Sequence, residues 1–265
     1  MLLWKSWRDL RIAFFVGLGW LALIAAGVID HALRSPAGSP GMWASPEQAF
    51  RVASVFITMQ TFVFTLLALA FGSFGVGRDI GAGSGTFALT RPIPRGFYVW
   101  TEWLAGLLAL CALDLLSFLG LWLAVHAHAL RITFVTSSDH VQTIHNWTVA
   151  AIPLGPTILD ICCALLFLAL IFGITHLGTV AFRHSTAGLL CVLGFLVAWF
   201  VGTAILRHEY LWLGPYIPDL LLRPYGSIDA DMRLIPHVTA SILERLAILP
   251  LFPLAAQFLL RRTEV

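Results

Sequence analysis

The chain has 265 residues, of which 59% are hydrophobic and only 11% are charged. Soluble domains carry roughly 25% charged residues, so this composition excludes a soluble globular protein. The sequence contains a single lysine, Lys5, and therefore no GxxxxGK[ST] nucleotide-binding loop. If ATP drives this protein, another chain must bind it.

Long apolar runs dominate the sequence. Runs of about 20 residues cross a hydrocarbon core of roughly 30 Å as helices, and six such runs predict an all-α integral membrane protein in which residues 1–265 form one domain. In chain order the runs are Ile12–Ile29, Val52–Val76, Tyr98–Val125, Leu154–Ala181, Ala187–Leu206 and Ile242–Leu260. The first run is long, has no A-x-A site at a suitable distance and is followed by further spans, so we expect a span and not a cleavable signal.

The basic residues predict the orientation. Six crossings from a cytoplasmic N-terminus place nine basic residues inside and six outside, the latter spread over longer loops. The inside set is Lys5, Arg8, Arg11, Arg78, Arg91, Arg95, Arg183, Arg261 and Arg262, and the outside set is Arg34, Arg51, Arg131, Arg207, Arg223 and Arg233. Because cytoplasmic loops carry the excess of lysine and arginine, we expect both termini to be cytoplasmic.

Four segments outside the spans have distinct compositions. Residues 1–11 combine tryptophans with basic residues, which fits either an amphipathic helix in the cytoplasmic interface or a charged flank of the first span. The basic loop Gly77–Phe97 is punctuated by glycine and proline and predicts an ordered hinge facing the cytoplasm. Outside, Ala127–Pro153 is a polar loop, while residues 207–239 predict short helices at, or dipping into, the outer interface.

Two carboxylates lie inside the predicted spans, Asp114 and Asp160. Charged groups at membrane depth are costly and are usually paired or face water. At a rise of about 1.5 Å per residue, both lie at a height similar to that of Arg245, so an intramembrane ionic cluster is one hypothesis. Separate contacts with the backbone or with lipid headgroups are the alternative.

Other reactive side chains predict no catalytic or metal site. His176 has no histidine partner at its own depth, which favours a single hydrogen-bonded histidine over a haem ligand. No HExxH or comparable spacing occurs, so we predict no metal ligands. The cysteines all fall in apolar runs, where we expect them buried as small apolar residues: Cys111, Cys162, Cys163 and Cys191.

The fifth predicted span carries Gly194, Ala198 and Gly202 at four-residue spacing. Small residues at this spacing form a groove on one helix face and permit close packing of a second helix. The contact could lie within the chain or at a dimer interface.

The basic loop resembles a known family. The stretch SGTFALTRPIPRGFYVWTEW, residues 84–103, is similar to the cytoplasmic loop of permeases of the type-2 ABC exporter family. Asp79 stands near the family's acidic position, and Glu102 stands where a lysine is common. The remaining matching residues are the pair Gly85 and Thr86 and the turn formed by Arg91, Pro92, Pro94 and Arg95.

The resemblance implies a fold and a function. Residues 77–97 would form a coupling helix that docks into a separate ATPase subunit, and residues 207–239 would include outer re-entrant helices. The chain would bind no cofactor or nucleic acid, while its partner ATPase would use ATP and Mg²⁺. The expected assembly is a homo- or heterodimer of permeases with two ATPases in a bacterial inner membrane. An autonomous channel or secondary transporter, or an intramembrane enzyme, remains the alternative.

Overall fold

We describe a computed structural model of the protein, comprising residues 2–34, 46–81, 94–126, 131–138, 141–149, 151–209 and 236–262. The helices are α1 (Leu2–Arg34), α2 (Pro46–Ser73), α3 (Val76–Gly81), α4 (Arg95–His126), α5 (Leu154–Phe182), α6 (Ser185–Glu209), α7 (Pro236–Ile248) and α8 (Leu251–Arg262). Two strands, β1 (Arg131–Ser138) and β2 (Val141–Thr148), lie between α4 and α5.

Among the described residues, five segments are long and apolar enough to cross a membrane, which supports the prediction of a membrane-embedded helical protein. They are Trp4–Asp30, Gln48–Ser73, Gly96–His126, Thr157–Phe182 and Ile242–Arg261. The remaining predicted span lies in α6, whose apolar segment Ser185–Trp199 is shorter. A sixth crossing by α6 therefore stays a prediction.

α5 is the central helix of the bundle. In its apolar segment 61% of the residues are buried, against 11% in the apolar segment of α1. The main core contains Phe64 of α2, Leu110 and Leu113 of α4, and Leu168 and Phe172 of α5. Burial of such side chains away from lipid depends on close packing, since lipid tails are as apolar as the core itself.

The two ends of the bundle carry separate hydrophobic clusters. At one end, here named the basal end, Val76 of α3 packs with Tyr98 of α4, Val180 of α5 and Leu260 of α8. At the opposite, apical end, the start of α2 packs against the end of α4 and the residues before α5. The C-terminal part of α8 and the start of α4 therefore lie together at the basal end.

A close crossing joins α2 to α5. A Cβ added to Gly72 would lie 2.6 Å from the Thr175 Cβ and 2.9 Å from the Phe172 carbonyl oxygen, so only glycine fits here. Thr179 Oγ1 also donates a hydrogen bond to the Gly72 carbonyl oxygen at 3.1 Å. Both features depend on the absence of a side chain at Gly72.

α5 turns into α6 within two residues at the basal end. Arg183 has a φ of 54° in the left-handed region, and its amide donates to the Val180 carbonyl oxygen at 3.3 Å. This backbone reversal ends α5 and allows α6 to start at Ser185. α6 therefore begins at the basal end.

The last predicted span is not one uninterrupted helix. α7 ends at Ile248 and α8 begins at Leu251, with Pro250 between them. Proline lacks an amide hydrogen and clashes with the preceding turn, which explains the interruption.

A β-hairpin corrects the all-α expectation for the loop Ala127–Pro153. β1 and β2 pair antiparallel, from Arg131 with Thr148 to Ser138 with Val141. Both strands are rich in β-branched residues, which favour strands. A two-residue connection, residues 139–140, suits a hairpin.

The cysteine expectation was wrong in part. Cys163 is buried and Cys111 is partly buried, but Cys162 and Cys191 are exposed. Both exposed cysteines lie in apolar helices, where the surface of the bundle is itself apolar. An apolar run therefore does not distinguish a core position from a lipid-facing one.

Candidate functional site

A cluster of charged and polar side chains lies at the basal end. The Lys5 ammonium donates hydrogen bonds to the Asp79 carboxylate, to the Tyr98 hydroxyl oxygen at 2.5 Å and to Glu102 Oε1 at 3.0 Å. Asp9 Oδ2 lies 3.7 Å from the same nitrogen. The Tyr98 hydroxyl in turn donates to the Asp79 carboxylate. We name Lys5, Asp9, Asp79, Tyr98 and Glu102 the basal ionic cluster.

Three elements supply this cluster. Lys5 and Asp9 lie one turn apart on α1, and Tyr98 and Glu102 lie one turn apart on α4, so each pair shares a helix face. Asp79 comes from the short helix α3. The cluster therefore fastens α3 to the start of α1 and to the start of α4.

Gly75 permits the turn that brings Asp79 to this position. Its φ of 93° lies in the left-handed region, and the Asp79 amide donates to its carbonyl oxygen at 3.0 Å. The Glu102 carboxylate occupies the space that a Cβ at Gly75 would need. Glycine is thus required here both for the backbone conformation and for the approach of Glu102.

The cluster contains three carboxylates and one ammonium. The side chain of Glu102 is 5% exposed and that of Lys5 is 25% exposed, so much of their interaction occurs away from bulk water. Partly buried charges need their partners, because an uncompensated charge in such surroundings is strongly unfavourable. Lys5 is therefore the cation that all three carboxylates of the cluster share.

A cavity opens beside the cluster. It is partly open to the exterior, and its volume, measured for the centre of a water-sized sphere, is about 10 Å³. Its lining comes from α1, the end of α2, α4 and α5, and comprises Ser6, Asp9, Leu10, Phe71, Phe74, Gly75, Glu102 and His176. The buried His176 ring stacks on Phe172 at 6.0 Å between centroids.

The predicted coupling residues are only partly described. Asp79 lies in the basal ionic cluster, Pro94 is exposed directly before α4, and Arg95 is the first residue of α4. Gly85, Thr86, Arg91 and Pro92 lie outside the described residues, as do residues 210–235 of the predicted outer loop.

The predicted intramembrane residues are all buried: Asp114, Asp160 and Arg245. Asp160 accepts a hydrogen bond from Ser54 Oγ at 2.8 Å, which links α5 to α2. This is a specific polar contact within the bundle, as expected for a carboxylate at membrane depth. Pairing of Arg245 with the carboxylates stays a prediction.

The small-residue groove on α6 is open. Gly194 and Ala198 are exposed, and a Cβ added to Gly194 or Gly202 would meet no atom within 4 Å among the described residues. The described part of the chain therefore does not use this groove for internal packing.

The sequence reasoning missed most of the basal ionic cluster. It identified Asp79 and noted that Glu102 replaces a common lysine, but it assigned Lys5 only to orientation. The available signal was the spacing of Lys5 with Asp9 and of Tyr98 with Glu102, each one turn apart.

No protein-family model matches this chain, and no curated protein matches its sequence. We therefore base the proposed function on the residues of the basal end and on the resemblance of the loop that follows α3.

Proposed function

We propose that the chain is the membrane-spanning permease subunit of an ATP-driven exporter, with ATP and Mg²⁺ bound by a separate ATPase subunit. The observation that carries this proposal is the fastening of α3 to α1 and α4 through Lys5, Asp79 and Tyr98. α3 directly precedes residues 82–93, which belong to the loop that resembles an exporter coupling loop.

The fastening suits transmission of force. Movement of the segment after α3 acts on Asp79 and, through Lys5 and Tyr98, on α1 and α4 together. A rigid element anchored between helices converts such a movement into rigid-body motion of those helices. A loop joined only through its own backbone would instead absorb the movement by bending.

The arrangement of helix ends supports a six-span topology. The start of α1, α3 and the end of α8 lie at the basal end, and α6 begins there. The start of α1 and the end of α8 lie at the same end of the bundle, which is the arrangement that an even number of crossings produces. Exposed arginines at this end, including Arg8, Arg78 and Arg183, support a cytoplasmic orientation.

The open groove on α6 supports a dimer of permeases. Small residues allow two helix backbones to approach closely in a membrane, where packing and not hydrophobic burial drives association. Gly194 and Ala198 are exposed on a helix whose neighbouring large side chains are also exposed. A second permease would cover this face.

Purification of a tagged full-length chain from its own cells tests the proposal. We expect an ATPase subunit to co-purify and to hydrolyse ATP in proportion to transport. Charge reversal at Arg91 or Arg95, or Gly85→Pro, should leave membrane insertion intact and uncouple hydrolysis from transport. Arg183→Glu is the matched control, because it reverses an exposed charge at the same end of the bundle but outside the loop.

Two results would contradict the proposal. One is transport by the purified chain alone in liposomes without ATP, which would identify a channel or secondary transporter. The other is wild-type ATPase association and transport in all three loop variants, which would remove the coupling role.

A further inference from the structure

Buried polar atoms without a hydrogen-bond partner among the described residues include His176 Nε2 of α5 and Glu102 Oε2 of α4, both at the basal end. Only 2% of His176 is exposed, and Glu102 uses its other oxygen for Lys5. Both residues line the basal cavity described above.

Buried polar atoms are almost always satisfied, since an unsatisfied one keeps the full penalty of its lost hydration. The cavity offers the room and the polarity that water needs. About 10 Å³ of it can hold the centre of a water-sized sphere, which is about the least that a single water molecule requires. Ser6 and Asp9 add further polar groups to its wall.

We propose that this cavity is an internal water-binding site whose water hydrogen-bonds to His176 Nε2 and to Glu102 Oε2. Water donates to the carboxylate oxygen, and it either donates to or accepts from the imidazole nitrogen, according to the tautomer. Among the described residues no group of three histidine, cysteine or acidic side chains could hold a metal ion.

This site joins α5 to the basal ionic cluster. In the described residues, Lys5, Asp79 and Tyr98 connect α1, α3 and α4, and the water adds His176 of the central helix to the same network. The inference depends only on the cavity and its lining, and it holds whether or not the chain serves an ATPase.

The direct test uses the full-length chain in lipid bilayers with ¹⁵N-labelled histidine. Solid-state NMR should show magnetisation transfer from water protons to the ring of the buried His176. The chain has nine histidines, so His176→Leu assigns the signal by removing it, and His176→Gln does so if the leucine variant does not accumulate. Absence of water contact at the assigned His176 ring would overturn the proposal.

Thermal unfolding gives an independent test with opposite signs for the two outcomes. If water hydrogen-bonds to His176 Nε2, the change His176→Leu leaves that water without this partner and lowers the unfolding midpoint. If the ring is dry, the same change removes an unsatisfied polar group and raises the midpoint. Thr175→Val is the control. The Thr175 hydroxyl donates a hydrogen bond to the Ile171 carbonyl oxygen within α5, so we expect this substitution to change the unfolding midpoint little.

Discussion

Lys5 Nζ and Glu102 Oε1 lie 3.0 Å apart, although 97 residues separate them in the chain. The same ammonium also forms a salt bridge with Asp79, which lies on the short helix α3. Lys5 is the only lysine of the chain. One side chain therefore links three separate helices at the basal end. We expect the stability of that end to depend on it.

Removal of the Lys5 charge tests this dependence. We expect Lys5→Met to lower the free energy of unfolding by about 1–3 kcal/mol, because the buried Glu102 carboxylate loses the ammonium that lies 3.0 Å from it. Lys5→Arg should retain more of the stability because it keeps the charge. Reversible unfolding of the purified chain in detergent measures the loss.

Arg8→Met is the matched control for Lys5→Met. The Arg8 side chain is 58% exposed and lies 3.8 Å from Asp9, and such surface pairs contribute about 0–1 kcal/mol. Equal losses for the two variants would show that the basal ionic cluster contributes no more than an exposed pair.

Gly75→Ala tests the turn between α2 and α3. Alanine at a φ of 93° is strained, and its Cβ would enter the space of the Glu102 carboxylate. We expect a loss of about 1–3 kcal/mol in the free energy of unfolding. In a Glu102→Ala background only the backbone strain remains, so the penalty should fall. Gly120→Ala, in an open part of α4, should be neutral or stabilising.

Run length and composition predicted the long helices because a membrane allows few alternatives. Backbone groups in lipid must be satisfied within the segment, so a long apolar run favours a helix, although Pro250 interrupts the last run. The same logic does not apply between the apolar runs, where Arg131–Ser138 and Val141–Thr148 form a hairpin. The β-branched residues of these two segments favour strands, although the loop as a whole is polar.

The basal ionic cluster could be predicted only in part. Sequence spacing shows that Tyr98 and Glu102 share a helix face, but contact with Lys5 depends on how α1 crosses α4. Periodicity carries no information on such crossings, since either face of a lipid-embedded helix is apolar. Gly72 illustrates the same limit, because its close approach to Thr175 becomes apparent only once α2 and α5 are packed.

Gly72→Ala tests the crossing of α2 and α5. The added methyl group would lie 2.9 Å from the Phe172 carbonyl oxygen and 3.0 Å from the His176 amide nitrogen. Because backbone atoms cannot move aside as a flexible side chain can, the helices must separate. We expect a loss of about 1–3 kcal/mol in the free energy of unfolding, measured as for Lys5. Gly27→Ala, with open space around it, should show no such loss.

Replacement of Arg245 by Ala and of Asp114 by Asn, singly and together, tests the intramembrane ionic hypothesis. If the two side chains pair, the effects on the free energy of unfolding are non-additive by about 0.5–3 kcal/mol. Ser54→Ala with Asp160→Asn is the positive control, because these side chains are hydrogen-bonded at 2.8 Å. Additive effects for Arg245 and Asp114 alongside coupling in the control would rule out the pair.

Gly194→Ile tests the proposed dimer contact on α6. Gly194 is exposed and has open space around it, so the larger side chain should leave the fold of the single chain unchanged. If a second permease packs closely against Gly194, Ala198 and Gly202, isoleucine holds the helices apart. We expect self-association in liposomes to weaken by about tenfold, which corresponds to ~1.4 kcal/mol. Single-molecule fluorescence co-localisation over a range of protein-to-lipid ratios measures the association constant.

Gly19→Ile is the control for this experiment, since Gly19 is also exposed with open space around it but lies on α1. It introduces the same side chain at the surface of the bundle without touching the α6 groove, so the association constant should keep its wild-type value. An unchanged constant for Gly194→Ile would place the dimer contact elsewhere. An equal loss for both variants would point to a general effect of isoleucine on the lipid-facing surface, because close approach at small residues depends on the particular groove and not on apolar area.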